Sequence, residues 1–401
     1  MEVGYLEAFT KIWEHVHMQW KHGAPRVTFL TDFIEDISSY SYISARDIIV
    51  CVFLGVAFTI LRYFLTAAAF KPYFRWCQLR ERDVKKSSES AFKLLFYSLV
   101  FGYCSYILFN GNYNFYHDTS NCWKGWYKGM PVPQDIYMLY VVEAGFYFHS
   151  VYATLYMDLW RRDSVLMIAH HIVANLLILF SFAMRYHSIG LLVLFVHDPT
   201  DIILEFTKLC VAFKSRGGKY HLLPDVISVV GFLSFALAWF YCRLYIFPIK
   251  VLYSCGCISL LFLPQVPLYF FFNAMIWLLF LMDIWWFHFI VLLIIRIAVG
   301  KSRGVEDTRE IPKESVKGEE HGEVANGKVL QNGELHNCAS HIEATHTKAE
   351  QRKYNKEGIK KGNQTKIVTN RKTMRSQAST AGSHTPNQLI HRMNAAMHHA
   401  S

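Results

Sequence analysis

Apolar residues along this chain fall into unbroken runs of roughly twenty, the length that spans a hydrocarbon core of roughly 30 Å. Seven runs are present, at about 47–69, 91–109, 136–158, 164–184, 189–212, 226–247 and 268–298. Only a helix satisfies its own backbone hydrogen bonds in lipid, so the pattern predicts seven transmembrane helices in an all-α polytopic membrane protein. The last run is long and predicts tilt or extension past the membrane. Residues 1–46 precede the first run, and "MEVGYLEAFTKIWEH" lacks the basic start and apolar core of a cleavable signal peptide. The first run is therefore expected to serve as its own insertion signal.

Composition agrees with this picture. The chain is 53% hydrophobic and 16% aromatic, which a soluble protein of two or three domains would not need. Charge adds an orientation. Lys71, Arg75, Arg80, Arg82, Lys85, Lys86 and Lys93 lie between runs one and two, Arg161 and Arg162 between three and four, Lys214, Arg216 and Lys219 between five and six, and Lys301 and Arg303 after seven. The opposite side has Lys124, Lys128, Arg185 and Lys250. Basic loops stay in the cytosol, so the N-terminal segment 1–46 is expected on the lumenal side and the tail in the cytosol. Residues 47–90 read as the first helix with a basic loop too small to fold by itself. From 300 to 401 bulky apolar residues thin out and disorder is expected. The tail histidines are scattered without ligand spacing, its Lys and Arg excess would attract anionic lipid, and Asn363 in "NQT" would stay unmodified on the cytosolic side. Of nine cysteines, Cys122, Cys255 and Cys257 fall in loops on the oxidising side, and a disulfide from Cys122 to either of the others is an open possibility.

An ionisable group at mid-membrane costs roughly 2.5–3.5 kcal/mol, which makes the polar residues inside the runs informative. Run four carries His170 and His171, about 100° apart around a helix, which predicts different roles for the two rings. Asn175 shares the face of His171 and is expected to hydrogen-bond its ring. In run five His197, Asp201 and Glu205 recur every four residues, Asp198 stands three before Asp201, and Lys208 three beyond Glu205. Pro199 removes a backbone donor and predicts a kink that frees a carbonyl near Phe195. His170 lies roughly 10 Å in from Asp163, and Glu205 roughly 13 Å in from Lys214, at about 1.5 Å per residue. Two antiparallel helices joined by the tight "RYHS" turn would gather these groups in one pocket open to the cytosol. Arg62, Glu143, His149, Arg243 and His288 read as structural partners or snorkelling groups.

A neutral imidazole near a carboxylate is a general base or a nucleophile, and the carboxylate fixes its tautomer and stabilises developing charge. A basic mouth over apolar, aromatic walls suits an amphiphile with an anionic head, such as a fatty acyl-CoA. Arg161, Arg162, Lys208, Lys214 and Arg216 would meet its phosphates, and the reaction would be acyl transfer to a second lipid.

The stretch "WRRDSVLMIAHHIVANLLILFSFAMRYHSIGLLVLFVHDPTDIILEFTKLCVAF" resembles the Lag1 motif of ceramide synthases, with its Arg-Arg-Asp start, paired His and His-Asp-x-x-Asp in order. Residues 91–299 are similar to a TRAM-Lag1-CLN8 domain. The homeobox-like insert that many ceramide synthases carry between their first two spans has no room here, and Pro199 replaces an apolar residue of the relatives. The resemblance implies N-acylation of sphinganine or a related sphingoid base by acyl-CoA in the endoplasmic reticulum membrane. It implies catalytic roles for His170, His171, Asp198 and Asp201 and substrate-binding roles for Arg161, Arg162, His197, Glu205 and Lys208. A histidine of the pair would carry the acyl group, and His170 is the choice, with His171 as partner or proton carrier. Asp198 and Asp201 would orient the imidazoles and hold the sphingoid amine, whose deprotonation an apolar pocket favours. No metal, organic cofactor or nucleic acid is expected, only acyl-CoA, the sphingoid base, membrane lipid and a homo- or heterodimer partner among ceramide synthases. Chain length would depend partly on "YSCGCISLLFLPQVP", with stearoyl-CoA suggested. Two rival readings are a proton-coupled transporter, which needs a water path to both faces, and a non-catalytic lipid sensor or translocon accessory, which would not need the histidines.

Overall fold

A computed structural model describes residues 4–23, 29–111, 113–263 and 265–299. The expectations for the tail at 300–401 and for Asn363 lie outside the described residues. All regular elements among the described residues are helices: α1 (Tyr5–Gly23), α2 (Phe29–Tyr40), α3 (Ala45–Trp76), α4 (Glu81–Asn110), α5 (Gln134–Tyr156), α6 (Ser164–Ala183), α7 (His187–Phe213), α8 (Leu222–Phe262) and α9 (Tyr269–Ala298). Helices α3 to α9 correspond in order to the seven runs. Five of them, α3, α4, α6, α8 and α9, are long and apolar enough to cross a membrane, which makes the chain a polytopic membrane protein. Helices α5 and α7, of 23 and 27 residues, are also long enough at about 1.5 Å per residue. They are the ones that carry Glu143 and the Asp198, Asp201, Glu205 and Lys208 set.

Local signals fix the ends. Ser44 and Asp47 form a reciprocal capping box at the start of α3, with Ser44 N–H donating to Asp47 Oδ2 at 3.0 Å and Asp47 N–H to Ser44 Oγ at 3.2 Å. The basic loop of the sequence reading is mostly helix, because α3 continues to Trp76 and α4 begins at Glu81. The turn between α6 and α7 closes with Arg185 in the left-handed region (φ 62°) and Tyr186 N–H donating to Ser181 O at 2.7 Å, a Schellman-type end. Helix α7 runs through Pro199 as one element. In the loop before α5, Asp118 caps a 3₁₀ turn: its bonds to Ser120 and Lys124 hold its carboxyl down at about 2.

Two departures from the sequence reading stand out. The apolar runs predict no element before residue 47, yet α1 and α2 are helical. They are amphipathic rather than uniformly apolar: Ala8 and Ile12 are buried while Trp13 is exposed. Helix α1 seats on α8, with Tyr5 Oη donating to Leu244 O at 2.8 Å, and Asp36 of α2 accepts from Leu268 N–H at 2.8 Å at the start of α9. Helix α8 is the second departure. It extends 41 residues rather than ending near 247, because π-helical turns at Phe240–Ile246, Pro248–Leu252 and Ser254–Ile258 carry it onward. The supposed loop "YSCGCISLLFLPQVP" is therefore helical as far as Phe262. Cys122, Cys255 and Cys257 are buried free thiols, the first in a 3₁₀ turn and the others on this helix.

Packing is not between chain neighbours alone. The main pairings are α3 with α5, α5 with α6, α4 with α7 and α7 with α8, with α9 against α6 and α8, whereas α6 and α7 touch sparsely. Small residues permit the closest approach: a Cβ on Gly145 would lie 2.7 Å from Leu54 Cβ. Phe96 and Phe146 stack at 3.5 Å between centroids in the main core. The sparse α6–α7 contact leaves space between the two helices that hold the candidate residues.

Candidate active site

Two cavities occupy that space. The larger, of about 620 Å³, opens at the end of the bundle bearing the 77–80 and 157–163 turns, where Arg80, Arg82, Lys86, Arg161 and Lys214 line it. The smaller, a narrow space of about 70 Å³, runs toward the other end between Leu177, Ile178, Val193, Phe272, Ile276 and Leu279. They meet at His170, which lines both.

His170 Nδ1 is buried and has no hydrogen-bond partner among the described residues. Its ring meets the Trp286 ring edge-on at 5.3 Å and stands 5.8 Å from His171. His171 is turned toward α5, where its Nδ1 lies 3.5 Å from Thr154 Oγ1. The two rings thus have different surroundings, as the 100° step predicts. The expected contact of Asn175 with the His171 ring does not form. Asn175 Nδ2 donates instead to the His171 carbonyl at 3.1 Å, because a short side chain on a helix reaches the backbone one turn back more readily than a ring tip.

Asp201 and Glu205 line the polar cavity, and His197 lines the apolar one. Asp198 lines neither. It is 1% exposed, its Oδ2 has no partner among the described residues, and the equally buried Glu143 of α5 is among its acidic neighbours. The physical reason is the same 100° step, which turns Asp198 away from its neighbour His197. The structure therefore brings His170, His171, Asp201 and Glu205 together and leaves Asp198 behind the wall.

Sequence reasoning missed Asp283 and underrated Arg243. Asp283 Oδ2 lies 3.2 Å from His197 Nε2, and its Oδ1 accepts from Arg243 Nη1 at 3.1 Å. Arg243 Nη2 donates to Asp201 Oδ2 at 2.8 Å and to His197 O at 3.1 Å, and its Nε to Thr200 Oγ1 at 2.8 Å. The guanidinium rests 4.0 Å over the Trp239 ring. This buried network ties α7, α8 and α9 together beneath the cavity wall, and a π-helical turn supplies Arg243. The signal was present: an acid and a base deep inside apolar runs are costly unless paired.

A second network braces the rim. Arg62 and Lys93 both bind Asp158, Lys93 at 2.8 Å, and Lys93 and Arg161 both donate to Glu89 Oε1, at 2.9 and 3.2 Å. Lys208 pairs with Glu205 at 2.7 Å. Lys208 and Lys214 line the polar cavity with Arg161, whereas Arg162 and Arg216 do not. The arrangement is a basic mouth, a buried imidazole with an unpartnered nitrogen, nearby carboxylates and a dry slot beyond. That combination can hold an anionic head outside, an apolar chain inside, and a reactive carbon at the imidazole.

The TLC domain family matches residues 86–292, which cover all of these groups except Arg62, Arg80 and Arg82. The chain is similar to ceramide synthase 1 of Homo sapiens, 44% identical over 274 residues that make up 68% of this chain and 78% of the relative. It is also similar to ceramide synthase 1 of Mus musculus, 43% identical over 275 residues with the same shares. ASC1-like protein 3 of Oryza sativa subsp. japonica is 28% identical over 64% of this chain and 91% of its own length. Fold and site thus define a TLC-domain membrane enzyme. The chain belongs to the ceramide synthase family, whose members are acyltransferases.

Proposed function

We propose that this chain transfers a long-chain acyl group from coenzyme A to the amine of sphinganine or a related sphingoid base, with stearoyl-CoA the first donor to test. The observation that carries the reading is the position of His170 at the meeting point of a basic polar cavity and an apolar slot. The phosphates of CoA would lie against Arg80, Arg82, Lys86, Arg161 and Lys214, and the acyl chain would run into the slot.

In the first step a His170 ring nitrogen attacks the thioester carbonyl. A carbon–nitrogen bond forms, the carbon–sulfur bond breaks, and the CoA thiolate takes the proton that the acylated ring gives up. In the second step the neutral amine attacks the acyl-imidazole. The amide bond forms, the bond to His170 breaks, and the proton leaving the amine returns to the ring. Asp201 and Glu205 hold the incoming ammonium, and the dry cavity favours its neutral form. His171 orients and shuttles protons, and His197 acts from the slot wall through Asp283. Asp198 supports the wall from behind instead of holding the amine.

The basic end of the bundle faces the cytosol in this reading, with seven spans, a lumenal N-terminus and residence in the endoplasmic reticulum membrane. A pair with another ceramide synthase chain is compatible with the apolar outer faces. The test is purified protein with stearoyl-CoA and sphinganine, assayed for dihydroceramide with H170A and H171A. Loss of product in H170A supports the reading. Full activity in both variants removes the catalytic assignment of the histidines, whereas no product from the unaltered chain, or proton flux without acyl-CoA consumption, overturns the reading in favour of the sensor or the transporter.

A further inference from the structure

Only two residues line both cavities, His170 and Tyr147. Tyr147 comes from α5 and is 7% exposed, with its ring 6.5 Å from His170 and 6.0 Å from His171. The other three tyrosine hydroxyls of the apolar slot are held. Tyr140 bonds Ser181 Oγ and the His187 carbonyl, each at 3.2 Å, Tyr186 donates to Pro267 O at 3.2 Å, and Tyr269 to Gly256 O at 2.7 Å. The Tyr147 hydroxyl makes no hydrogen bond to any described residue. A buried phenol normally finds a partner, so this one is a donor left available at the junction.

The chemistry needs such a donor. Attack on the thioester and attack on the acyl-imidazole each place a negative charge on the same carbonyl oxygen. In soluble acyltransferases backbone N–H groups often receive it. Here the junction is walled by α5, α6, α7 and α9, and in a membrane helix each interior N–H is spent on its own helix. The donor must come from a side chain. Of the other donors nearby, His171 Nδ1 lies against Thr154, every nitrogen of Arg243 bonds the wall, and Tyr97 lines the polar cavity without reaching the slot.

We propose that Tyr147 is a catalytic residue whose hydroxyl donates a hydrogen bond to the acyl oxyanion formed at His170 in both half-reactions. This rests on the acyl-transfer reading above. The phenol keeps its proton throughout, so it adds no step to the proton balance given there.

The test is Y147F in the purified full-length chain. The change removes one oxygen that makes no hydrogen bond to a described residue, so the thermal midpoint is expected to stay within about a degree. Loss of one oxyanion donor typically lowers turnover about 10²–10³-fold. We expect that fall in kcat, with KM for stearoyl-CoA and for sphinganine each changed less than about threefold. A second readout omits the sphingoid base and follows CoA thiol release in a single turnover. Its rate should fall by a similar factor while its final amplitude stays at wild-type level. Wild-type kcat and burst rate in Y147F would overturn the inference, as would a lowered thermal midpoint or a loss confined to KM, either of which marks a packing or binding role. H170A run in parallel separates the two claims, because product formation by that variant sinks the assignment of His170 as the acyl carrier on which this inference rests, whereas normal Y147F beside inactive H170A sinks only the oxyanion role.

Discussion

Asp283 is the sharpest place to test whether the buried network is what holds the site wall. His197 Nδ1 lies 2.8 Å from the Val193 carbonyl, which can only accept, so that nitrogen carries a hydrogen. Nε2 lies 3.2 Å from an Asp283 oxygen, so a second proton must sit between them. D283A removes this acceptor and the partner of Arg243 Nη1, leaving a buried cation half-matched. Breaking one side of a buried pair costs about 3–5 kcal/mol. At roughly 2–4 °C per kcal/mol, that is a fall of about 6–20 °C in thermal midpoint. D283N behaves differently. Its amide N–H donates to a neutral His197 Nε2, its carbonyl still accepts from Arg243, and Arg243 keeps Asp201 as its counter-ion. Its cost should stay within about 1.5 kcal/mol, the scale of one ordinary hydrogen bond. The assay is the midpoint of detergent-solubilised protein followed by size-exclusion fluorescence after heating. Equal midpoints for D283A and D283N, or a D283A shift below about 2 °C, would refute the claim that the hydrogen bonds made by the Asp283 side chain hold the wall.

Three further outcomes follow from the geometry. Glu205 Oε2 is buried without a partner among the described residues and Glu205 lines the polar cavity, and losing a charge-assisted bond of about 1.5–3 kcal/mol in E205Q should raise KM for sphinganine at least tenfold with KM for acyl-CoA unchanged; equal changes in both would count against an amine site. A Cβ on Gly190 would collide with the Tyr140 hydroxyl and lie 3.2 Å from Ser181 Oγ in the slot, so G190A should shift preference toward shorter acyl chains in a mixed-donor assay, and an unchanged product profile would remove the slot as the chain site. The cationic rim predicts that KM for acyl-CoA rises severalfold from about 50 to about 500 mM salt through screening, with a weaker rise after R80A and K214A are combined; a salt-independent KM would contradict phosphate contacts there.

Much of the helical order was legible because lipid-length apolar runs leave few alternatives. The runs at 164–184 and 189–212 match Ser164–Ala183 and His187–Phe213 within about two residues. The amphipathic α1 and α2 were not legible, since a reading keyed to membrane-length runs passes over helices that bury one face. The end of α8 was hidden by Pro248 and by polar Ser254 and Cys255, residues that π-helical turns accommodate inside the protein. The site was legible in its residue types and depth, yet its pairings were not. Periodicity placed Asp201 and Glu205 on one stripe, and both line the cavity, but it grouped Asp198 with Asp201 where three-dimensional packing turns Asp198 toward Glu143. Asp283 lies 86 residues from His197, and no local pattern reports a partner that distant. Tyr147 looked like one more aromatic among many; only the convergence of two cavities on its ring singles it out.

The central claim is that His170 accepts the acyl group. Purified protein incubated with stearoyl-CoA and no sphingoid base, then digested and mapped by mass spectrometry, tests it directly. The account predicts one stearoyl mass increment on His170 that disappears when sphinganine is added, with dihydroceramide appearing in equal amount. An increment on His171 or elsewhere, or an unmodified His170 in enzyme that turns over normally, would contradict it.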